Sequence, residues 1–509
     1  MEKEKIFRYL YILANDIVKY VSFAAVSIVG GMALLFYVTS AATGGVLEKI
    51  SFHKHSLWTY IFCIIFFSVL FALKKNIEKI KPNILFMICS CIFVTLGFAL
   101  VWGIGTELRG DMYWVKQAAR EFAANNYTSL REGGYIFHYP HQLGLVTYER
   151  ILFAIISQTE ILFIANVFWG ILINWCSWKI SQCIFGKKIY IANMTIILSF
   201  LFLPQFFLNA CAYGIIPGFA LMMLAYYFQL SYFRERKIGK IIASFFCIGL
   251  SCLLRSNYLI GAIMMALVYL LYALKKKNLK VLICFALTLC IAILPQRGVE
   301  TYYEWESGGP ISSGEPKLLW VAMGLRDEST VMGGWYDAFN YNTYEDTNYN
   351  GEVCTEIAKE SIKSSINHFY NNPLYALQFF GNKIRSTWCD PLFQSLWLGP
   401  LEGAGQEVRV EKLKSLYEEG TAFKLVLEWS KIVLIFIYVM TWIYLLIMII
   451  GKKQTVFSGG IIYFIGGFLF YLFWETKSQY VYSNVFGLIP YAVYAFEFIQ
   501  EKIKDKVFV

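Results

Sequence analysis

The residues best suited to chemistry lie just after long hydrophobic segments, and the first of them is Asp111. The sequence reads Glu107-Leu108-Arg109-Gly110-Asp111 directly after one such segment. A carboxylate just above a membrane, on a turn made by Gly110, could act as a general base or as a metal ligand for a substrate arriving from the lipid. Asp111 would equally suit the N-cap of the amphipathic stretch that follows, and the sequence alone favours this cap. The two roles are compatible.

A second group of polar and aromatic residues lies at the next hydrophobic boundary. Segment 135–142 contains Tyr139, Pro140 and two histidines, His138 and His141. These side chains could line a pocket for a sugar or a metal ion. An interfacial belt of aromatic residues, with the proline opening the next helix, explains the same pattern and is favoured when the segment is taken in isolation.

Two later connections between apolar segments also carry charges. Arg255 lies in one of them, and an arginine fork is the usual ligand for a phosphate group. Its alternative role is to extend its charge toward the membrane interface. Glu475 and Lys477 precede Tyr480 in the last connection, where they form either a functional pair or an ordinary solvated turn, which is the commoner case.

The composition identifies the elements that must position these residues. Of 509 residues, 58% are apolar and only 16% are charged, and the mean hydropathy is +0.52. A soluble domain is about a quarter charged. The apolar residues form blocks of about twenty, as a helix that crosses a bilayer requires. This pattern excludes a soluble enzyme, a disordered chain, a coiled coil, a disulfide scaffold and an outer-membrane barrel, whose strands would alternate.

The apolar blocks predict an all-α polytopic membrane protein with about twelve or thirteen transmembrane helices. A shorter apolar piece, 143–157, contains Glu149 and Arg150 and would break the alternation of sides. We therefore interpret it as a re-entrant or partial helix, which must be buried in protein or line a cavity. The twelve predicted spans are 18–39, 57–73, 83–103, 161–180, 187–207, 211–230, 239–255, 257–274, 279–296, 429–450, 456–474 and 480–499.

The net charge of +10 reflects membrane topology rather than a nucleic-acid partner. Lysine and arginine cluster in the short connections, which marks the cytoplasmic side. The remaining connections are acidic on balance. This distribution predicts a multi-pass protein of the plasma membrane, with both termini inside and with segments 104–141 and 297–428 outside.

Segment 297–428 is too long for a simple connector and is expected to fold. Its stretches 353–371 and 406–428 have helical spacing, and Cys354 and Cys389 could pair or remain two thiols. We divide the chain into additional N-terminal transmembrane helices (1–82), a transmembrane core (83–296) with the catalytic first outer loop (104–141), an outer loop domain (297–428), and C-terminal transmembrane helices (429–509).

The order of these motifs resembles the GT-C superfamily of integral-membrane glycosyltransferases, especially its protein O-mannosyltransferase and aminoarabinose transferase branch. The resemblance covers about residues 83 to 499, and it rests on the order and common side of short motifs. They are an acid in the first outer loop (Gly110-Asp111), a Tyr-Pro entry to a short helix (Tyr139-Pro140-His141-Gln142), an aromatic-Gly-basic turn (Phe185-Gly186-Lys187-Lys188), a proline at the outer end of a helix (Leu203-Pro204), a later outer basic residue (Arg255), and a closing Lys477-Ser478-Gln479-Tyr480 with Pro490.

The resemblance implies transfer of a sugar from a polyprenyl-phosphate-linked donor to a cell-envelope acceptor (polysaccharide, teichoic acid, lipid or protein) on the extracytoplasmic face. It implies that Asp111 is the catalytic base, and that Arg255 and Lys477 bind the donor phosphate. The residues of the implied sugar or acceptor pocket are Glu107, His138, Tyr139, His141, Glu475 and Tyr480.

One feature departs from this family. Many members carry a second acid in the outer turn after the proline, whereas residues 205–213 contain no carboxylate. A divalent metal cofactor, Mg²⁺ or Mn²⁺, is therefore left open, with Glu107 or Glu475 as the substitute ligand.

Two other classes of function remain. A flippase or transporter for lipid-linked saccharides would be expected to show an inverted repeat and broken, charged helices at mid-membrane, and we find no clear repeat. An O-antigen ligase or polymerase would use Arg297, Arg326 and His368 in the outer loop. No Walker motif is present, which excludes an ATP-driven pump with its own nucleotide site.

Overall fold

The architecture is that of a helical polytopic membrane protein with one β-hairpin. A computed structural model describes residues 2–43, 47–105, 107–328, 331–400, 408–452 and 458–507, and it is 79% helical. The N-terminal part contains α1 (Glu2–Leu35), β1 (Phe36–Thr43), β2 (Leu47–Lys54), α2 (Leu57–Ala72) and α3 (Lys74–Lys79).

The helices of the central part bury their apolar residues in one large cluster and in a smaller one formed mainly by residues 115–146. They are α4 (Pro82–Ile104), α5 (Asp111–Ala123), α6 (Tyr135–His138), α7 (Leu143–Ile155), α8 (Glu160–Phe185), α9 (Ile189–Leu201), α10 (Leu203–Phe207), α11 (Ile215–Glu235), α12 (Ile238–Leu254), α13 (Leu259–Lys276) and α14 (Leu282–Ser307).

The segment between α14 and α20, here called the cap, has its own helices and its own small apolar cluster. Its helices are α15 (Leu318–Gly324), α16 (Phe339–Asp346), α17 (Gly351–Asn371), α18 (Pro373–Trp388) and α19 (Glu411–Tyr417), and four helices follow it: α20 (Thr421–Ile450), α21 (Gly459–Phe473), α22 (Ser478–Phe486) and α23 (Ile489–Val507).

Seven of the described helices are long and apolar enough to cross a membrane: α1, α4, α8, α11, α13, α14 and α20. An eighth span results if α9 and the following helix, which bend by 52° at their junction, are counted together. Three further apolar helices, α2, α12 and α21, are shorter. The prediction of a polytopic helical protein is therefore confirmed, and the figure of twelve or thirteen crossings stays a prediction.

Large apolar side chains remain exposed on these helices, as expected of surfaces that face lipid. Met87 on α4 is 60% exposed, and Ile242 and Phe246 on α12 are 61% and 65% exposed. Contiguous apolar surface of this kind is rare on soluble monomers. The short helix α12 thus presents the same type of surface as the long spans.

The β-hairpin is one departure from the predicted all-α fold. The first span was expected at 18–39, but the helix ends at Leu35 and residues 36–39 belong to β1. β1 pairs antiparallel with β2, with Phe36 opposite Lys54. The two aromatic and two β-branched residues at 36–39 suit a strand, although their overall hydropathy continues that of the helix.

Other boundaries also differ from the predicted ones. The span predicted at 279–296 continues as α14 to Ser307, and the span predicted at 480–499 is broken between α22 and α23. The partial helix predicted at 143–157 is α7, and the helical stretch predicted at 353–371 is α17. Cys354 and Cys389 are both buried free thiols, in separate apolar clusters.

Candidate functional site

Asp111 is the first residue of α5, and its carboxylate faces a neighbouring tyrosine. The N-cap position belongs to Gly110, whose φ of +56° suits glycine. The helix is held by a buried face that includes Val115 and Phe122. Asp111 itself is exposed, and its Oδ2 accepts a 2.9 Å hydrogen bond from the hydroxyl of Tyr213. The interpretation of Asp111 as the N-cap is therefore wrong.

Tyr213 brings the predicted residues together. Its hydroxyl accepts a 3.0 Å hydrogen bond from Nε2 of Gln142 while it donates to Asp111. An Nη1–H group of Arg255 donates to the backbone oxygen of Tyr213 at 2.6 Å. The guanidinium lies 4.4 Å from the ring centroid of Tyr213 and 5.5 Å from that of Tyr480. Two predicted site residues, Asp111 and Arg255, thus contact one tyrosine that the sequence analysis did not select, and Tyr480 lies near the guanidinium of Arg255.

A close backbone approach fixes this arrangement. Gly214 has a φ of +69°, and a Cβ atom there would lie 2.6 Å from the carbonyl oxygen of Leu254. A side chain is therefore excluded where the turn carrying Tyr213 meets the turn carrying Arg255. This close approach explains how two turns that are distant in sequence hold Tyr213 and Arg255 next to each other.

The turn that carries Glu475 and Lys477 is bound to the cap by backbone hydrogen bonds. The amide of Glu475 donates to the carbonyl of Trp320 at 3.0 Å, and the amide of Thr476 donates to the carbonyl of Gly334 at 3.0 Å. A Cβ atom on Gly324 would lie 2.3 Å from the carbonyl oxygen of Phe473. The cap and this turn therefore form one rigid junction.

Lys477 is paired with a residue of the N-terminal hairpin. Its Nζ lies 2.8 Å from Oε1 of Glu48 on β2, and the same oxygen accepts a 3.4 Å hydrogen bond from Nε2 of Gln394. Burial alone would lower the pKa of Lys477, but Glu48 and Glu475 raise it. The segment 1–82, predicted as additional helices only, thus contributes a carboxylate to the site.

Glu475 is a buried carboxyl group with an unusual protonation state. Burial raises its pKa to about 7, and the nearby charges of Glu48 and Asp111 act in the same direction, while Lys477 and Lys383 oppose them. At neutral pH a substantial fraction of Glu475 is therefore protonated, so it can donate a hydrogen bond as well as accept one.

The raised pKa of Glu475 predicts how the stability of the protein depends on pH. The folded protein holds a proton on Glu475 that the unfolded chain releases near pH 4.5. The resulting stabilisation is complete below that pH and is lost as pH rises through about 7. Relative to Glu475→Gln, the parent should lose about 2 kcal/mol of unfolding free energy between pH 5 and pH 7. Denaturation curves of the two proteins across this range would measure it, and parallel pH profiles would contradict it.

The two histidines of segment 135–142 have different environments. His138 is buried between Glu315, 2.9 Å from its Nδ1, and Glu345, 3.0 Å from its Nε2. It therefore fastens the first outer loop to the cap. His141 retains an exposed side chain, yet the surrounding protein and then the cations of Lys317 and Arg255 lower its pKa to about 4. His141 is thus neutral at physiological pH.

Tyr139 lies within electrostatic range of Asp111, whereas Glu107 is exposed. Burial raises the pKa of Tyr139, and the carboxylates of Glu315 and Asp111 contribute to the rise. Glu107 is exposed, and its charge acts on Lys116 of α5. No hydrogen bond connects Glu107 to another described residue.

The residues around Asp111 do not fit a divalent metal ion. Within the described ranges, no group of three or more histidine, cysteine, aspartate and glutamate side chains is arranged to hold one. One oxygen of Asp111 is already used by Tyr213, and Glu475 is partly protonated. These residues therefore assign no catalytic step to a metal ion.

Two of the three residues that would suit a ligase line a groove in the cap. Arg326 and His368 line a separate groove of about 610 Å³ in the cap, and no predicted transferase site residue lines that groove. Arg326 is bound to Asp337 at 3.0 Å and also to Glu328. Arg297, on α14, pairs with Glu300 at 2.9 Å.

Comparisons with known proteins give no match to this chain. No protein-family model matches the chain, and no curated protein and no solved structure matches it.

Proposed function

We propose that the protein is a GT-C-like membrane glycosyltransferase, which transfers a sugar from a polyprenyl-phosphate-linked donor to a cell-envelope acceptor on the extracytoplasmic side of the plasma membrane. The observation that supports this proposal is the placement of a carboxylate and an arginine at the same tyrosine: Asp111 at the hydroxyl of Tyr213, and Arg255 at its ring and backbone.

The chemistry follows from these two charges. Arg255 binds the donor phosphate, because its guanidinium is always charged and donates in a fixed fork. Asp111 accepts the proton of an acceptor hydroxyl as the oxygen attacks the anomeric carbon. The bond between that carbon and the phosphate oxygen breaks, and polyprenyl phosphate leaves. A single displacement inverts the configuration at the anomeric carbon.

The remaining residues have supporting roles in this proposal. Gln142 and Asp111 together fix the hydroxyl of Tyr213, which orients the carboxylate. Tyr139, His141, Glu475 and Tyr480 supply aromatic faces and hydrogen-bonding groups for a sugar. Lys477 contributes positive charge that Glu48 balances, and His138 acts indirectly by holding the loop to the cap.

A flippase and a ligase are the alternatives. The flippase would move the same lipid without breaking a bond, so release of polyprenyl phosphate from a synthetic donor by purified protein distinguishes it from a transferase. The ligase would draw on Arg326 and His368, which line one groove in the cap, but Arg297 does not line that groove and pairs with Glu300 instead.

Arg255→Ala tests the donor site directly. We expect the KM for the lipid-linked donor to rise at least tenfold in the folded fraction, because the variant removes a charge-assisted contact worth about 1.5–3 kcal/mol. Arg255→Lys should recover only part of the affinity, since it restores the charge without the fork. Steady-state transfer with varied donor measures both. An unchanged donor KM in the alanine variant would remove Arg255 from the site.

A further inference from the structure

Arg109 is a half-buried arginine that the proposed mechanism leaves unused. It lies two residues before Asp111, and its guanidinium carbon is 4.0 Å from the ring centroid of Trp397. Its Nε and Nη2 atoms are buried and have no hydrogen-bond partner among the described residues. Leaving a buried donor unpaired destabilises the folded state, and the cost is greater when the donor is charged. A protein that keeps such a group needs a compensating ligand or another reason to retain it.

The charge of Arg109 persists at neutral pH. Burial lowers its pKa to about 10, and Glu48 acts against this shift. Glu48, however, already forms the 2.8 Å ion pair with Lys477. Arg109 therefore lacks a hydrogen-bonded counter-ion within the described residues.

Arg109 and Lys477 both lie near the indole ring of Trp397. Lys477 lies 5.8 Å from the centroid of the indole that Arg109 covers, so the two cationic groups are within about 10 Å of each other. Arg255 is also near, since both arginines act electrostatically on the thiol of Cys211. Of the three cations, Lys477 has a carboxylate partner and Arg109 has none.

We propose that Arg109 is a second anion-binding arginine of the site, in addition to Arg255. It binds a phosphoryl group of the lipid donor on the side of the site where Trp397 lies. This inference rests on the proposed function and adds a residue to it. The indole covers one face of the guanidinium, and Nη1, which is not one of the buried unpaired atoms, can form a charge-assisted bond to a phosphoryl oxygen. Lys477, neutralised by Glu48, then contributes less than either arginine.

The test is equilibrium binding to the purified full-length protein in nanodiscs, with farnesyl phosphate and farnesyl diphosphate as probes. Arg109→Gln should weaken binding at least tenfold, or about 1.4 kcal/mol, and Arg109→Lys should weaken it less. Because glutamine removes an unpaired buried charge, we expect that variant to melt no lower than the parent. Arg120→Gln is the matched control, since Arg120 also stacks on an aromatic ring but donates to Ser157 and Thr159.

The outcomes separate the inference from the proposed function. A loss for both probes, or for the diphosphate alone, supports Arg109 as a phosphoryl ligand, and the second result places it at the distal phosphoryl group. Equal binding by the parent and Arg109→Gln overturns the inference, and if Arg255→Ala still loses binding the proposed function survives. Failure of the parent to bind either probe overturns both.

Discussion

Replacing Asp111 by asparagine is expected to leave the protein folded and to lower sugar transfer by about 10²–10⁴-fold. Asparagine keeps the shape of the side chain and can still accept the hydrogen bond from Tyr213. It cannot take a proton from an acceptor hydroxyl. The N-cap of α5 is Gly110, so the substitution removes no capping bond and loses only the favourable interaction of a charge with the helix N-terminus, about 0.3–1 kcal/mol.

The experiment measures transfer from a synthetic lipid-linked donor by purified protein, together with its melting temperature. Glu107→Gln is the matched control, because Glu107 is an exposed acid of the same loop and forms no hydrogen bond to another described residue. We expect the control to retain activity within a few-fold of the parent. Activity of Asp111→Asn within the same range would refute the catalytic role, and a strongly lowered melting temperature would show a structural role instead.

The sequence located those site residues that lie at the ends of long apolar segments. Asp111, Arg255 and Tyr480 each follow or precede such a segment on the same predicted side, so membrane crossing alone brings them to one level. The contacts within the site could not be predicted in this way. Tyr213 lies in the turn 205–213, where many GT-C members carry a second acid. In a chain this rich in aromatic residues, one tyrosine is not marked out as a site residue by its type.

Contributions from distant segments were also missed, for a different physical reason. Glu48 reaches Lys477 only because residues 36–54 form a hairpin, whereas hydropathy continued the first helix into β1. Lys383 lies in an amphipathic helix of the cap, where a lysine normally indicates a solvated face. Which lysine is buried depends on tertiary packing, and a single sequence carries no record of it. Orientation likewise separated His138, which binds the cap, from His141, which keeps an exposed side chain.

Lys383 joins the cap to the turn that carries Glu475 and Lys477. Its Nζ is buried and donates to three backbone carbonyls: Gly324 at 2.5 Å, Trp474 at 2.9 Å and Leu472 at 3.1 Å. Burial lowers the pKa of Lys383 to about 7. Three carbonyl acceptors match the three donors of an ammonium group and so favour the charged form.

Lys383→Met should therefore lower the free energy of unfolding by about 3 kcal/mol or more, since it leaves buried carbonyls without donors at a cost of about 1–3 kcal/mol each, partly offset by removal of a buried charge. Lys363→Met, on the exposed face of α17, is the matched control and should change stability by less than about 0.5 kcal/mol.

Sugar transfer should also fall in Lys383→Met although Lys383 touches no substrate, because Glu475 and Lys477 lose their fixed position. Measuring the donor KM and kcat separately distinguishes two roles. If the turn becomes disordered, both parameters should change together. If stability falls while the kinetics of the folded fraction are unchanged, the junction only holds the cap. A variant as stable as the parent would mean that the three carbonyls find other donors and that Lys383 does not fasten the cap.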